Sequence, residues 1–387
     1  MIIAHLADLH LGYRAYHRVT ARGVNAREAD IADAFRDTVD SVVRRRPDLV
    51  LVAGDVFHSV RPSNSAIAEA FRQFSSLAER IPGVPIVMIA GNHDSPRSSD
   101  TGNILALFRE IPGVEVVTEE AQRVRLDALD ASVLCLPHNA LARGEEIDLS
   151  PDPDSAVNVL MLHGTISGSA VEGKIRYVSE YGGVTVADTD IGPEQWDYVA
   201  LGHYHIATEL TPNMWYAGAI ERTSTNIWAE AEGAKGYLIY DTTRRSASFE
   251  PVHTRAVLDL PRLSARGLSA ADVDAAIEAA VASIPGGVEG KIVRLVVTDI
   301  PRHVVREINH RRIRDLKAEA LHFHLDARPP EINRIVGSGA PLRRQTLQEQ
   351  VESYLTSQWR PTAQDIDPAR LIHLARVYLD QSSEGGE

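Results

Sequence analysis

The sequence predicts an α/β layered fold, and three features carry that prediction. Short apolar runs alternate with helical stretches over the first ninety residues, short strands dominate from Val114 onward, and a second alternating run begins near Arg255. Such alternation favours layered sheets with much parallel pairing. Ile2–Asp8 reads as a buried strand. Ala26–Arg46 reads as a helix, because Ile31, Phe35, Val39 and Val42 recur at helical spacing. Asp48–Gly54 is a second apolar strand. Ser63–Arg80 is a second helix, opened by Pro62 and Ser63, with Ile67, Ala70, Phe71 and Phe74 on one side. Pro85–Ala90 is a third strand.

The later strand candidates are Val124–Leu126, Ser132–Leu136, Val157–Leu162, Tyr198–Leu201, Trp215–Ala217, Gly236–Tyr240 and Ser248–Val252. Either one mixed sheet or a second sheet packed on the first accommodates them. Val257–Leu260, Ala270–Ser283, Ile292–Thr298, His303–Lys317 and His322–Asp326 form a βαβαβ pattern of their own, closed by Pro329-Pro330. The expected division is therefore 1–254, 255–335 and, past a Gly337-Ser-Gly339 linker, a helical segment at 340–381.

Composition narrows the setting. The 44% hydrophobic share is enough for a sizeable core. The single cysteine, Cys135, excludes an intramolecular disulfide framework, sits in an apolar run and fits a reducing cytoplasm. Met1–Gly12 has neither a basic n-region nor an unbroken apolar run, and no stretch reaches the roughly 20 apolar residues of a membrane helix. The net charge of −13 disfavours unaided nucleic-acid binding unless the basic groups share one face or a partner supplies part of the surface.

Five short signatures each follow an apolar strand candidate: Asp8-Leu-His10, Gly54-Asp55, Gly91-Asn92-His93-Asp94, Leu162-His163-Gly164 and Gly202-His203-Tyr204-His205. Functional groups in α/β sheets gather beyond the carboxyl ends of strands, so five such ends can converge on one site. Asp8 and His10 are two residues apart, as are His203 and His205; in extended chain each pair projects to one side. A carboxylate after a tight glycine turn can bridge two cations, which singles out Asp55. Asp8, His10, Asp55, Asn92, His163, His203 and His205 together offer carboxylate, amide and imidazole donors and no thiolate, a set that suits Mn, Fe or Zn better than Mg or Ca. Alone, Asp8-Leu-His10 occurs by chance, Gly54-Asp55 is usually a turn and Leu162-His163-Gly164 most often a core or capping histidine, while Gly91-Asn92-His93-Asp94 is rarer and stronger; all five in order point to a metal site. Two cations about 3.5–4 Å apart would activate water and clamp a phosphodiester. His93, beside Asn92, is then the candidate general acid for the leaving oxygen. Asp94 either orients His93 or stabilises the turn.

The ordered set resembles the signature of calcineurin-like metallophosphoesterases. Asp8-Leu-His-Leu-Gly12, Gly54-Asp-Val-Phe-His-Ser-Val-Arg-Pro-Ser63, and Tyr216-Ala-Gly-Ala-Ile-Glu-Arg222 followed by Lys235-Gly-Tyr237 are similar to the SbcD / Mre-eleven nucleases. The resemblance implies a two-sheet metallophosphoesterase sandwich flanked by helices, a small βαβαβ cap domain that positions DNA, and C-terminal helices. It implies one metal on Asp8, His10 and His205, another on Asn92, His163 and His203, and Asp55 between them. It makes His93 catalytic, with His58 supporting His93 or the phosphate.

The resemblance further implies 3′-to-5′ exonuclease activity on duplex DNA and endonuclease activity on single strands and hairpins. Two Mn²⁺ would serve, with Fe, Zn or Mg as other candidates. It implies a homodimer, and a partner ATPase of the SMC-like SbcC type docking on the helices beyond 340; packing of those helices on their own domain is the alternative. The loop Tyr13, Arg14, Tyr16, His17 and Arg18, with Arg61, is the expected DNA contact, against a solvated surface loop. Two other functions compete: hydrolysis of a small phosphoester or nucleotide, which the same ions would serve, and a scaffold that has lost its chemistry.

Overall fold

The computed structural model describes residues 1–96, 102–144, 146–175 and 183–330, together with Tyr354, Arg370 and Leu374. The linker and helices expected beyond residue 331 lie outside the described residues. Strand Ile2–Leu6 stands in the middle of a six-stranded sheet. On one side Leu49–Ala53, Ile86–Ile89 and Val114–Val117 follow in parallel. Leu49–Ala53 and Ile86–Ile89 are apolar and buried at every position, as strands covered on both faces must be. On the other side Lys235–Asp241 and then Ser246–Val252 add antiparallel. These last two strands, grouped by sequence order with the later ones, in fact complete the first sheet.

The second sheet also has six strands, in the order Thr208–Thr211, Met214–Tyr216, Tyr198–Gly202, Val157–His163, Ala131–Leu136, Gln122–Leu126. Its inner pairs are parallel and its two edge pairs antiparallel. Both alternatives left by the strand count are thus realised: the two six-stranded sheets are mixed, and the second is separate from the first. Strand alternation divides the side chains between two cores. Ile3, Leu49, Leu51, Val87 and Ile89 meet Val133, Cys135, Val159, Met161 and Ala200 between the sheets. Ala4, Leu6, Val50, Val52, Ile86 and Met88 face the opposite way, onto helices Ala26–Arg45 and Asn64–Arg80. Those helices start where their caps sit: Asn25 accepts from the backbone N–H of Arg27 and Glu28, and Ser63 from that of Ala66.

The βαβαβ run is present as a parallel three-stranded sheet, Val257–Ser264, Ile292–Thr298 and His322–Ala327, with Ile292–Thr298 in the middle. Its own core joins Val273, Ile277 and Val281 of helix Ala270–Ala282 to Val293, Leu295, Val297, Leu316 and Phe323. The stretch His303–Lys317, read as one helix, is two: Arg302–Glu307 and His310–Glu319. The break falls at Asn309, whose side chain accepts from Arg312 N and starts the second helix, while its own N–H is held by Asp274. This small sheet belongs to one compact unit with the two large ones, Met1–Pro330. Arg255 pairs with Asp30 and donates to Gly290 O. Tyr16 stacks on His322 with ring centroids 4.1 Å apart. No helix among the described residues is long and apolar enough to cross a membrane.

Candidate metal centre

The strand ends bring the predicted side chains together, but not by the route expected. The first strand stops at Leu6, and Asp8 and His10 adopt left-handed backbone, with φ of 52° and 47°. They are not extended, so the same-side rule for alternate residues does not explain their convergence. Asp55 (φ 52°) and His203 (φ 112°) also lie in this region. Such conformations cost about 1–3 kcal/mol each for non-glycine residues and persist only when neighbours over-determine them. Here the loops bond one another: Asp8 N–H donates to Gly54 O at 3.0 Å, His10 N–H to Asp55 O at 2.9 Å, and His203 N–H to Asp8 Oδ1 at 3.0 Å. The two glycines at the centre have no room for a side chain. A Cβ on Gly54 would lie 2.4 Å from His163 Nδ1, and one on Gly91 would lie 2.1 Å from Asp55 Oδ1.

The donors form two groups with a carboxylate between them. Asp8, His10 and His205 present ligand atoms all within 4.8 Å of one another, and His10 Nε2 faces His205 Nε2 at 3.0 Å. Asn92 Oδ1 gathers the second group, 3.0 Å from His163 Nε2 and 3.2 Å from His203 Nδ1. Asp55 Oδ2 lies 3.8 Å from His10 Nε2 and 3.4 Å from His163 Nε2, so it touches both groups. That oxygen is buried and makes no hydrogen bond among the described residues. An orphaned buried carboxylate oxygen, ringed by imidazoles, is what a cation site requires.

Electrostatics favours the ligating forms of Asp55, His10 and His203, and holds His163 protonated until a cation replaces a proton. Burial would raise the Asp55 pKa, but His163, then His10 and His93, hold it well below the ordinary value. Burial works against protonation of His163, yet Asp55 and Asp8 raise it to about 9. Burial lifts Asp8 to about 6. It drives His10 well below the usual range, with His205 adding to the effect, and His203 to about 3, with His163 adding. His10 and His203 therefore stand neutral with lone pairs available, the form that binds metal. Once His163 gives up a proton to ligate, the nitrogen that keeps its proton is fixed. Its Nδ1 lies 2.8 Å from Ala53 O, a carbonyl that can only accept, so Nδ1 carries the proton and Nε2 faces the cluster.

The family model for the calcineurin-like phosphoesterases matches residues 1–207, more than half of the chain. The chain belongs to that family. It is 27% identical over 212 residues to the DNA double-strand break repair protein Mre11 of Methanococcus maripaludis, covering 53% of this chain and 52% of that protein. It is 26% identical over 265 residues to the Mre11 protein of Thermoplasma acidophilum, covering 65% of each. It is 28% identical over 259 residues to the uncharacterized metallophosphoesterase YhaO of Bacillus subtilis, covering 64% of this chain and 58% of that protein. The chain thus spans about half to two thirds of these relatives. As a metallophosphoesterase it has a buried His/Asp cluster suited to a pair of divalent cations.

Around the phosphoesterase cluster lies a layer of supporting groups. His93 N–H donates to Asp55 Oδ1 at 2.8 Å, and His93 Nδ1 donates to the carbonyl oxygen of His58 at 2.8 Å. The His58 ring stacks on that of His93 with centroids 5.1 Å apart, and its Nδ1 lies 3.4 Å from His10 Nδ1. Asp94 braces the backbone of these loops. It accepts from the backbone N–H of Val56, Phe57 and Gly91, tying two loops together, and burial and then Asp55 raise it to about 7. Two residues that no motif marked as functional sit behind His205. Glu230 Oε1 is 3.6 Å from His205 Nδ1, and Lys235 pairs with Glu230 while donating to His205 O at 2.6 Å. Their sequence signal is faint: one charge closing the turn Ile227–Glu230 and one opening strand Lys235–Asp241, 25 and 30 residues past the histidine they serve, the lysine marked only by the Lys235-Gly-Tyr237 resemblance.

The expected DNA-contact loop is partly committed to the chain itself. Arg14 pairs with Glu28 at 2.7 Å. Arg18 donates to the carbonyls of Lys317, Ala318 and Ala320 at the end of helix His310–Glu319. Tyr16 is taken up by His322, and Tyr13 meets the His58 ring edge-on at 4.9 Å. The side chains of His17 and Arg61 are exposed.

Proposed function

We propose that this phosphoesterase is a Mn²⁺-dependent DNA phosphodiesterase. It acts 3′-to-5′ on duplex ends and endonucleolytically on single strands and hairpins, in break repair, as a homodimer with an SMC-like ATPase. The observation that carries the reading is the placement of Asp55 between the two donor groups, with His93 held beside it. One cation would rest on Asp8, His10 and His205 and the other on Asn92, His163 and His203, with Asp55 shared. Cations held there would supply Lewis acidity to the phosphoryl group and lower the pKa of the attacking water. Asp55 Oδ1 and His58 O fix the His93 backbone and ring. With Nδ1 committed to a carbonyl, Nε2 is the nitrogen that hands a proton to the leaving 3′-oxygen as the P–O bond breaks.

Two further features support a polymeric substrate. The Mre11 relatives carry a DNA-repair name, and the small sheet touches the loop that follows His10 through Tyr16 and Arg18, which suits a cap for a long substrate. The test is cleavage of end-labelled duplex and hairpin DNA, with and without Mn²⁺, beside small phosphomonoesters and cyclic nucleotides. Mn²⁺-dependent shortening of DNA is expected. Turnover of the small esters alone would reject the nuclease and leave a small-substrate phosphoesterase.

A further inference from the structure

Glu230 ends the short turn Ile227–Glu230 and is fully buried. Its Oε2 meets Lys235 Nζ, and its backbone carbonyl accepts from Arg222 Nε at 2.8 Å, so side chain and backbone are each held by a cation. Its Oε1 makes no hydrogen bond among the described residues and lies 3.6 Å from His205 Nδ1, a nitrogen that the Thr223 hydroxyl also approaches at 3.4 Å. The other nitrogen of that ring, Nε2, faces His10 in the metal cluster. Lys235 also grips the His205 carbonyl oxygen, so one ammonium fixes both the histidine backbone and the carboxylate behind its ring. Where burial of an ion pair serves stability alone, an apolar pair of similar volume does as well. A carboxylate aimed at the distal nitrogen of a ligand histidine has a different use: it selects the tautomer, aligns the ring and makes the ligating nitrogen more basic.

We propose that Glu230, anchored by Lys235, is a positioning residue that holds His205 with its proton on Nδ1 and tightens the cation site shared with Asp8 and His10. The proposal rests on the metal-centre reading above. Titration calorimetry with Mn²⁺ alone separates the two. Wild type is expected to take up two cations per chain. Glu230→Gln should weaken one of the two by about 10- to 100-fold and leave the other unchanged. The double variant Glu230→Gln, Lys235→Met has no buried charge left unpaired and guards against loss of fold. It should show the same one-site weakening, and long-range ¹H–¹⁵N spectra of both variants with Zn²⁺ should show the His205 Nδ1 proton shifted from its wild-type position. Wild-type affinities in the double variant would overturn the proposal and leave the pair a structural anchor. A wild-type protein that takes up no cation would overturn the metal centre itself, and the proposal with it.

Discussion

The metal cluster and the small three-stranded sheet lie in one compact unit yet are built on opposite terms. Around the cluster, Asp8, His10, Asp55 and His203 all sit at positive φ, and the side chains they carry are buried, polar and close-set. In the small sheet, positive φ falls on glycines, with Asp299 as the one other such residue among the described residues, and the centre is filled by Val, Ile, Leu and Phe. The first region costs stability and holds chemical groups at fixed separations. The second gains stability and holds a surface. Substitutions in the two should therefore fail differently, the first in turnover and the second in melting.

The largest effect is expected at His93. His93→Ala removes the proposed proton donor but none of the seven proposed metal donors, so cleavage of DNA should fall by about 10²- to 10⁴-fold while calorimetry still counts two cations. Next comes Phe323, 1% exposed in the core of the small sheet. Phe323→Ala should cost about 3–5 kcal/mol by chemical denaturation and leave Mn²⁺ affinity at the cluster unchanged. A loss of metal binding there would show that the two regions are not separable. Gly91→Ala sharpens the contrast from the other side. Its Cβ would fall 2.1 Å from Asp55 Oδ1, so the carboxylate must shift. Mn²⁺ affinity should drop at least tenfold, with a stability loss of about 1–3 kcal/mol, the range for overpacking. Asn309→Ala is the smallest change. It removes a helix cap for about 1 kcal/mol, visible as a lower Tm with activity intact.

What the sequence revealed followed its local physics. Apolar runs such as Leu49–Ala53 and Ile86–Ile89 announce buried strands, and Ser63 marks a helix start because its hydroxyl caps one. The site donors were legible because each ends a strand. Their geometry was not, since a positive φ at Asp8 or His10 depends on bonds to Gly54 and Asp55, remote in the chain. Nor does periodicity say which sheet a strand joins: Lys235–Asp241 pairs with Ile2–Leu6, across more than 230 residues. The pairing of Glu230 and Lys235 with His205 is likewise a product of tertiary folding. The Asn309 helix break lay within reach of sequence reasoning, because an Asn ahead of Arg-rich helical sequence is a capping signal.

The central claim is that Asp8, His10, Asp55, Asn92, His163, His203 and His205 hold two cations with Asp55 in contact with both. Anomalous diffraction from Mn²⁺-soaked crystals measures this directly. Two peaks are expected, one flanked by Asp8, His10 and His205, the other by Asn92, His163 and His203, with Asp55 reaching each. Peaks elsewhere, or a single peak that Asp55 does not touch, would contradict the account.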